Sequence, residues 1–87
     1  MINIDELKKK IIYRANYRGT KEMDKLMGAF TKNYIDKLSE SDLLNLEKLL
    51  DVDDTNLFNF LNGFKTDVFI EKNNVSELFK NFKYVEK

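Results

Sequence analysis

The sequence contains neither cysteine nor histidine, and these two absences exclude most familiar kinds of catalytic and metal site. Without cysteine the chain can form no disulfide and has no thiolate nucleophile. Without histidine it lacks the commonest general base, and a zinc site could be built only from carboxylates. We therefore expect no catalytic residues, no bound metal and no enzymatic activity.

The chain also has no surplus of charge, because 15 basic and 15 acidic residues cancel. Nucleic-acid binding draws on a positive surplus, so the composition disfavours it. The run Lys8–Lys10 is the only basic cluster, and we expect it to be the solvated face of a helix. No apolar run approaches the roughly 18 residues of a transmembrane helix, which predicts no membrane insertion.

The first six residues have the pattern of neither a signal peptide nor a transit peptide. The sequence therefore predicts a cytoplasmic protein, and the heavy use of Lys, Asn and Ile with no Pro indicates a bacterial one. It would be a protein of the mitochondrial matrix only if a leader had been removed.

Apolar residues recur at three- and four-residue steps, which predicts amphipathic helices. Gly19 is expected to end the first helix with a positive φ, and Thr20 to cap the second. The predicted helices are residues 4–17, 21–35 and 41–50, one from Asp53 or Asp54 to near Gly63, and one at 74–82.

The predicted fold class is thus all-α, a single compact bundle of about five short helices. One domain is expected to span residues 1–87, with an ordered core of about 4–83 and frayed residues at 84–87. Residues 64–73 have no clear assignment.

Two segments admit a second interpretation. Residues 51–55 (DVDDT) alternate oxygen ligands as a calcium loop does, but Asn56 and Asn62 stand where such a loop needs Gly and Glu. A cap for the following helix is therefore favoured. Phe58 and Phe60 are expected in the core, and a docking surface is the alternative for whichever of them points outward.

Arginine, tyrosine and carboxylate residues crowd the end of the first helix and the start of the second. Helix ends explain part of this pattern, since acidic residues favour a helix N-terminus. Arginine and tyrosine are also enriched at interface anchors, and here they are expected to face the carboxylates of the second helix. The alternative interpretation is therefore a protein-binding site.

Three segments resemble the succinate dehydrogenase flavin-assembly factor family. Residues 18–24 (RGTKEMD) are similar to its RGxxE motif, and residues 26–30 (LMGAF) to its LLLGxF run. Residues 49–61 (LLDVDDTNLFNFL) are similar to its LLxxDDPDLFNWL segment. The order and spacing agree with the family over about residues 7–63. The chain departs from the family where Pro, Asp and Trp are usual, at Thr55, Asn56 and Phe60.

The resemblance implies a five-helix assembly factor that binds the flavoprotein subunit of succinate dehydrogenase or fumarate reductase. It would promote covalent attachment of FAD to a histidine of that subunit. FAD would then be a cofactor of the partner, with none bound by this chain, and the free protein is expected to be a monomer. The alternatives are a general helical protein–protein adaptor with an unrelated partner and, disfavoured by charge, a nucleic-acid binder.

The expected partner-binding residues lie where the first two helices meet. The motif match implies three of them: Arg18, Gly19 and Glu22. Proximity along the helices adds three more: Arg14, Tyr17 and Asp24.

Overall fold

The computed structural model describes residues 3–83 of the chain. Its five helices are α1 (Ile4–Asn16), α2 (Lys21–Tyr34), α3 (Glu40–Leu50), α4 (Asp54–Leu61) and α5 (Asn74–Lys80). No strand occurs between residues 3 and 83. The all-α prediction is therefore confirmed, whereas the predicted fraying of residues 84–87 lies outside the described residues.

Each helix begins at a polar side chain that accepts a hydrogen bond from the backbone N–H three residues later. The caps are Asn3, Thr20, Ser39, Asp53 and Asn73. Such caps satisfy one of the four N–H groups that a helix start leaves without a partner. The caps predicted at Thr20 and at Asp53 are confirmed, and they fix where α2 and α4 begin.

The helix ends differ slightly from the predicted ones. Tyr17 leaves the helical region at φ −130°, so α1 is one residue shorter than expected. Helix α5 stops at Lys80 rather than at Phe82, because the Phe82 N–H bonds to the Phe79 carbonyl in a tighter turn. Residues 64–73 form neither helix nor strand.

The core is centred on Phe30 of α2. Its ring makes edge-to-face contacts with Phe79 and Phe82, at centroid distances of 5.2 and 5.3 Å. The predicted apolar stripes supply most of the other buried core residues: Leu7, Ile11, Ala15, Met23, Leu26, Met27, Leu43, Leu46, Leu49, Leu50, Leu57 and Val75. Ile35, which was not among them, is buried as well. None of the helices between residues 3 and 83 is long and apolar enough to cross a membrane.

Helices α1 and α2 form a hairpin, of which α1 packs on α3, and α5 packs on both α3 and α4. Helices α1 and α2 approach closely at Gly28, because a Cβ atom there would collide with Oδ1 of Asn16. Asn16 itself donates its side-chain amide to the Ile12 carbonyl at 2.8 Å. The hairpin thus brings the loop between α1 and α2, residues 17–20, to one end of the molecule, where α3 is followed by α4.

Candidate protein-binding site

The six residues predicted to bind a partner surround the loop of residues 17–20. The structure divides them into two groups of three. The first group uses its polar atoms on bonds within the chain and comprises Arg14, Arg18 and Asp24. The second group is exposed to solvent and comprises Tyr17, Gly19 and Glu22. Their role in partner binding stays a prediction.

Arg18 is largely enclosed, with only 10% of its side chain exposed. Its Nε donates to Oδ1 of Asp54 at 2.9 Å, across the start of α4. Its two terminal nitrogens donate to the carbonyls of Leu50 and Val52, each at 2.5 Å. The guanidinium therefore caps the carbonyl end of α3 and simultaneously pairs with the first residue of α4. We refer to residues 50–54 as the α3–α4 junction.

Arg14, one helical turn before Arg18, reaches the same junction and forms an ion pair with Asp51. This pair is more exposed than that of Arg18, at 30% for Arg14 and 67% for Asp51, so we expect it to add little stability. The expectation that both arginines face the carboxylates at the start of α2 is wrong. They face acidic residues of the α3–α4 junction, because α1 packs across α3.

The carboxylate of Asp24 shapes the loop from the opposite side. Its Oδ1 accepts hydrogen bonds from two consecutive backbone N–H groups, those of Arg18 and Gly19, the latter at 3.2 Å. Gly19 has φ +118°, so its predicted positive φ is confirmed, and that conformation is strained for any other residue. Asp24 and Gly19 together give the loop a single, tightly turned path into α2.

Glu22 differs from Arg14, Arg18 and Asp24, whose charged groups bond within the chain. It is exposed, and no residue between 3 and 83 gives its carboxylate a hydrogen bond or an ion pair. It lies on the rim of a groove of about 480 Å³ between α2 and α4, beside Met23, Leu26 and Phe58. Glu22 therefore remains available to a cation on another molecule.

The expectation that Phe58 lies in the core is wrong, since its side chain is 52% exposed, and the alternative of an outward-pointing phenylalanine applies to it. Phe60, by contrast, stacks on Phe79 at 6.3 Å. The helical period of the sequence indicates this difference between Phe58 and Phe60. Leu57 and Phe60 are three residues apart and share one face of α4, whereas Phe58 lies outside that face. Glu22 and Phe58 come from separate parts of the chain and line the same groove.

A pair of tyrosines covers the outer face of α1 next to the loop. The rings of Tyr13 and Tyr17 lie 4.7 Å apart and are 64% and 70% exposed. Ile12 beside them is 41% exposed. Exposed aromatic rings of this kind are more typical of interface anchors than of an ordinary solvated surface. Tyr13 was not among the predicted contact residues.

The α3–α4 junction also contains the one carboxyl group, among those of residues 3–83, whose pKa clearly departs from its usual value. The side chain of Asn56 donates to Asp53 and holds the pKa of that carboxyl below its usual value.

Among residues 3–83, no group of three acidic residues could hold a metal ion. The groups that the site exposes are suited to binding another molecule: an unpaired carboxylate, a glycine backbone and aromatic rings.

Comparison with known proteins gives consistent results. A family model described as flavinator of succinate dehydrogenase matches residues 9–84. The mitochondrial succinate dehydrogenase assembly factor 2 of Dictyostelium discoideum is 40% identical over 58 residues, which is 67% of this chain and 41% of that protein. An FAD assembly factor of Acetobacter pasteurianus is 33% identical over 61 residues, 70% of this chain and 56% of that protein.

The chain spans about half the length of these curated relatives. No solved structure gives a significant match.

Proposed function

Because this chain belongs to the family of succinate dehydrogenase flavinators, we propose that it binds the flavoprotein subunit of succinate dehydrogenase or fumarate reductase. Binding would promote the covalent attachment of FAD to that subunit. The observation that carries the proposal is the family match over residues 9–84, which includes the whole of the RGxxE motif.

The proposed mechanism requires no catalytic group in this chain. The flavoprotein subunit would supply both the FAD and the histidine to which it becomes attached. A binder accelerates such a reaction if it has higher affinity for the conformer in which the two groups are correctly placed. Holding them in near-attack geometry then lowers the barrier through proximity. FAD accordingly remains a cofactor of the partner.

The proposed contact surface consists of the exposed residues around the loop. Gly19 would let the partner's backbone approach closely, since nothing in the chain lies within 4 Å of the position of an added Cβ. Glu22 would pair with a cation of the flavoprotein subunit, because its carboxylate has no partner among the described residues. Tyr17 and Phe58 would supply apolar area on either side.

The remaining parts of the proposal concern the free protein. We expect a monomer that binds neither nucleic acid nor membrane and that acts in the bacterial cytoplasm. Purified protein should be colourless, because no sequence segment has the glycine-rich strand-to-helix turn of a dinucleotide site. A preparation carrying flavin at one per chain would contradict the assignment of FAD to the partner.

The direct test measures covalent flavin on the host's flavoprotein subunit, by in-gel fluorescence of the denatured protein, with and without this gene. We expect the signal to fall in the deletion strain, to recover with the wild-type gene and to recover poorly with Glu22→Ala. An unchanged signal in the deletion strain would overturn the proposal. Co-purification of an unrelated protein in place of the flavoprotein subunit would favour the general adaptor.

A further inference from the structure

We propose that Arg18 is a positioning residue that anchors the loop to the α3–α4 junction and does not itself contact the partner. Asp54 is then part of the binding machinery, although it lies outside the RGxxE motif. This inference rests on the proposed function, since it explains how the loop presents Gly19 and Glu22 to the flavoprotein subunit.

The first argument is that the guanidinium of Arg18 is already engaged in three directions. Its Nε and its two terminal nitrogens each donate to a different residue of the junction, and only 10% of the side chain is exposed. Contact with a partner would require some of these bonds to break. Their acceptors include carbonyls at the end of α3, which would lose their partners.

The second argument is that both the side chain and the backbone of Arg18 form hydrogen bonds to other helices. The side chain binds the α3–α4 junction, while the backbone N–H binds the Asp24 carboxylate of α2. The next N–H, that of Gly19, binds the same carboxylate. The loop that carries Gly19 therefore has its path set by three helices at once, and its geometry depends on Asp54 although Asp54 is distant in sequence.

The third argument concerns the choice of arginine. A planar guanidinium can donate to one carboxylate and two carbonyls together, whereas a lysine ammonium is a point charge on a flexible stem. Arg14 makes only the more exposed pair with Asp51, so it cannot replace Arg18 as an anchor. We therefore expect Arg18→Lys to behave as a loss of the anchor even though the charge is kept.

The test uses Asp54→Ala, Asp54→Asn, Arg18→Ala and Arg18→Lys in the full chain. The matched control is Glu40→Ala, because Glu40 opens α3 as Asp54 opens α4 and has no side-chain partner among the described residues. Two quantities are measured well below the melting temperature: affinity for the flavoprotein subunit, and hydrogen exchange of the Gly19 amide and the Arg18 Nε–H by NMR.

We expect Asp54→Ala, Arg18→Ala and Arg18→Lys each to weaken binding about tenfold and to speed exchange of the Gly19 amide. The Arg18 Nε–H exists only in the variants that keep Arg18, and we expect it to exchange faster in Asp54→Ala. Asp54→Asn keeps an acceptor for Nε and should restore part of both losses. The double variant Arg18→Ala with Asp54→Ala should bind no more weakly than Arg18→Ala alone, because both changes remove one anchor. Glu40→Ala should change neither quantity.

Three results would overturn the inference. The first is wild-type affinity in Asp54→Ala alongside weak binding by Arg18→Ala, which would make Arg18 a direct contact. The second is faster exchange with unchanged affinity, which would leave the anchor a purely structural feature. The third is unchanged exchange in Asp54→Ala, which needs no partner to observe. If the wild-type protein fails to bind the flavoprotein subunit, the proposed function fails, and the exchange data still decide whether the anchor exists.

Discussion

The side-chain amide of Asn56 donates a hydrogen bond to Oδ1 of Asp53 at 2.7 Å, and this contact organises the start of α4. The same side chain accepts a bond from the backbone N–H of Asp67 at 2.8 Å, which ties down the irregular segment of residues 64–73. Asn56 is only 6% exposed. An ionised aspartate at this position could not donate to Asp53 and would place a second negative charge beside it, so asparagine supplies a hydrogen bond that aspartate cannot.

We predict that Asp53 contributes to stability in a pH-dependent way. The pKa of Asp53 is lowered from 3.8, chiefly by the hydrogen bond from the Asn56 side chain. A carboxyl group whose pKa is lower in the folded state stabilises the fold above its unfolded pKa and loses this contribution as pH falls through the folded pKa. The difference in thermal stability between wild type and Asp53→Asn should therefore be constant near neutrality and shrink below about pH 4.

Melts followed by circular dichroism between pH 7 and pH 3 would measure this difference. Asp5→Asn is the control, because Asp5 is exposed and its carboxylate has no partner among residues 3–83. A gap between wild type and Asp53→Asn that does not change with pH would contradict the prediction.

Glu22→Ala should leave the fold intact and weaken partner binding. Glu22 makes no bond within the described residues, so its contribution to stability is limited to the helix dipole, about 0.3–1 kcal/mol. Losing a charged hydrogen bond across an interface should instead reduce affinity by more than about tenfold. Asp5→Ala is a matched control, because Asp5 occupies the corresponding position in the first turn of α1. Wild-type affinity in Glu22→Ala would reduce Glu22 to a helix-start residue.

Gly19→Arg should abolish flavin attachment for two reasons that add. A side chain at φ +118° costs roughly 1–2 kcal/mol, and a long one would block approach of the partner's backbone. Gly63→Arg separates these effects, since Gly63 also has a positive φ and open space around it. We expect both variants to melt at lower temperature, and only Gly19→Arg to lose binding in titrations below its melting temperature. Equal binding by the two variants would remove Gly19 from the contact surface.

Thr31→Val should stabilise the protein. Thr31 is 1% exposed, and its hydroxyl has no hydrogen-bond partner among the described residues. Replacing the hydroxyl with a methyl group removes that unsatisfied atom while keeping the branched shape, which is worth about 1 kcal/mol. Urea denaturation would show this as a higher midpoint at an unchanged slope. Thr31→Ser keeps the hydroxyl and loses the methyl, so its midpoint should fall; a fall in Thr31→Val as well would show that the hydroxyl is satisfied.

Local chemistry made much of the fold predictable from the sequence. Helix starts were recognisable because a capping side chain such as Thr20 or Asp53 accepts a hydrogen bond from a backbone N–H only three residues later. The positive φ of Gly19 and the buried stripe containing Leu7 and Ile11 follow from equally local rules. The predicted ends of α1 and α5 were wrong by one or two residues. At a helix end, a further α-helical turn and a tighter turn differ little in energy, so the sequence does not decide between them.

The site was less predictable, because its bonds connect distant parts of the chain. Nothing in the local sequence distinguishes Asp54 from Asp24 as the partner of the Arg18 side chain. The choice follows from the packing of α1 on α3, which is a property of the whole core. The carboxylate of Glu22 is not paired with Arg14 or Arg18, because both side chains bond to the α3–α4 junction. Its position on a groove with Phe58 depends on how α2 and α4 are arranged.

Arg18 and its anchor Asp54 are 36 residues apart, and this separation bears on the order in which the molecule is made. The loop leaves the ribosome well before α4 does, so a nascent chain contains the RGxxE motif without the structure that shapes it. Docking of α4 is a long-range contact, and such contacts close late because of their loop entropy. We therefore expect the binding surface to mature only after α4 has been synthesised, so that unfinished chains cannot occupy the flavoprotein subunit.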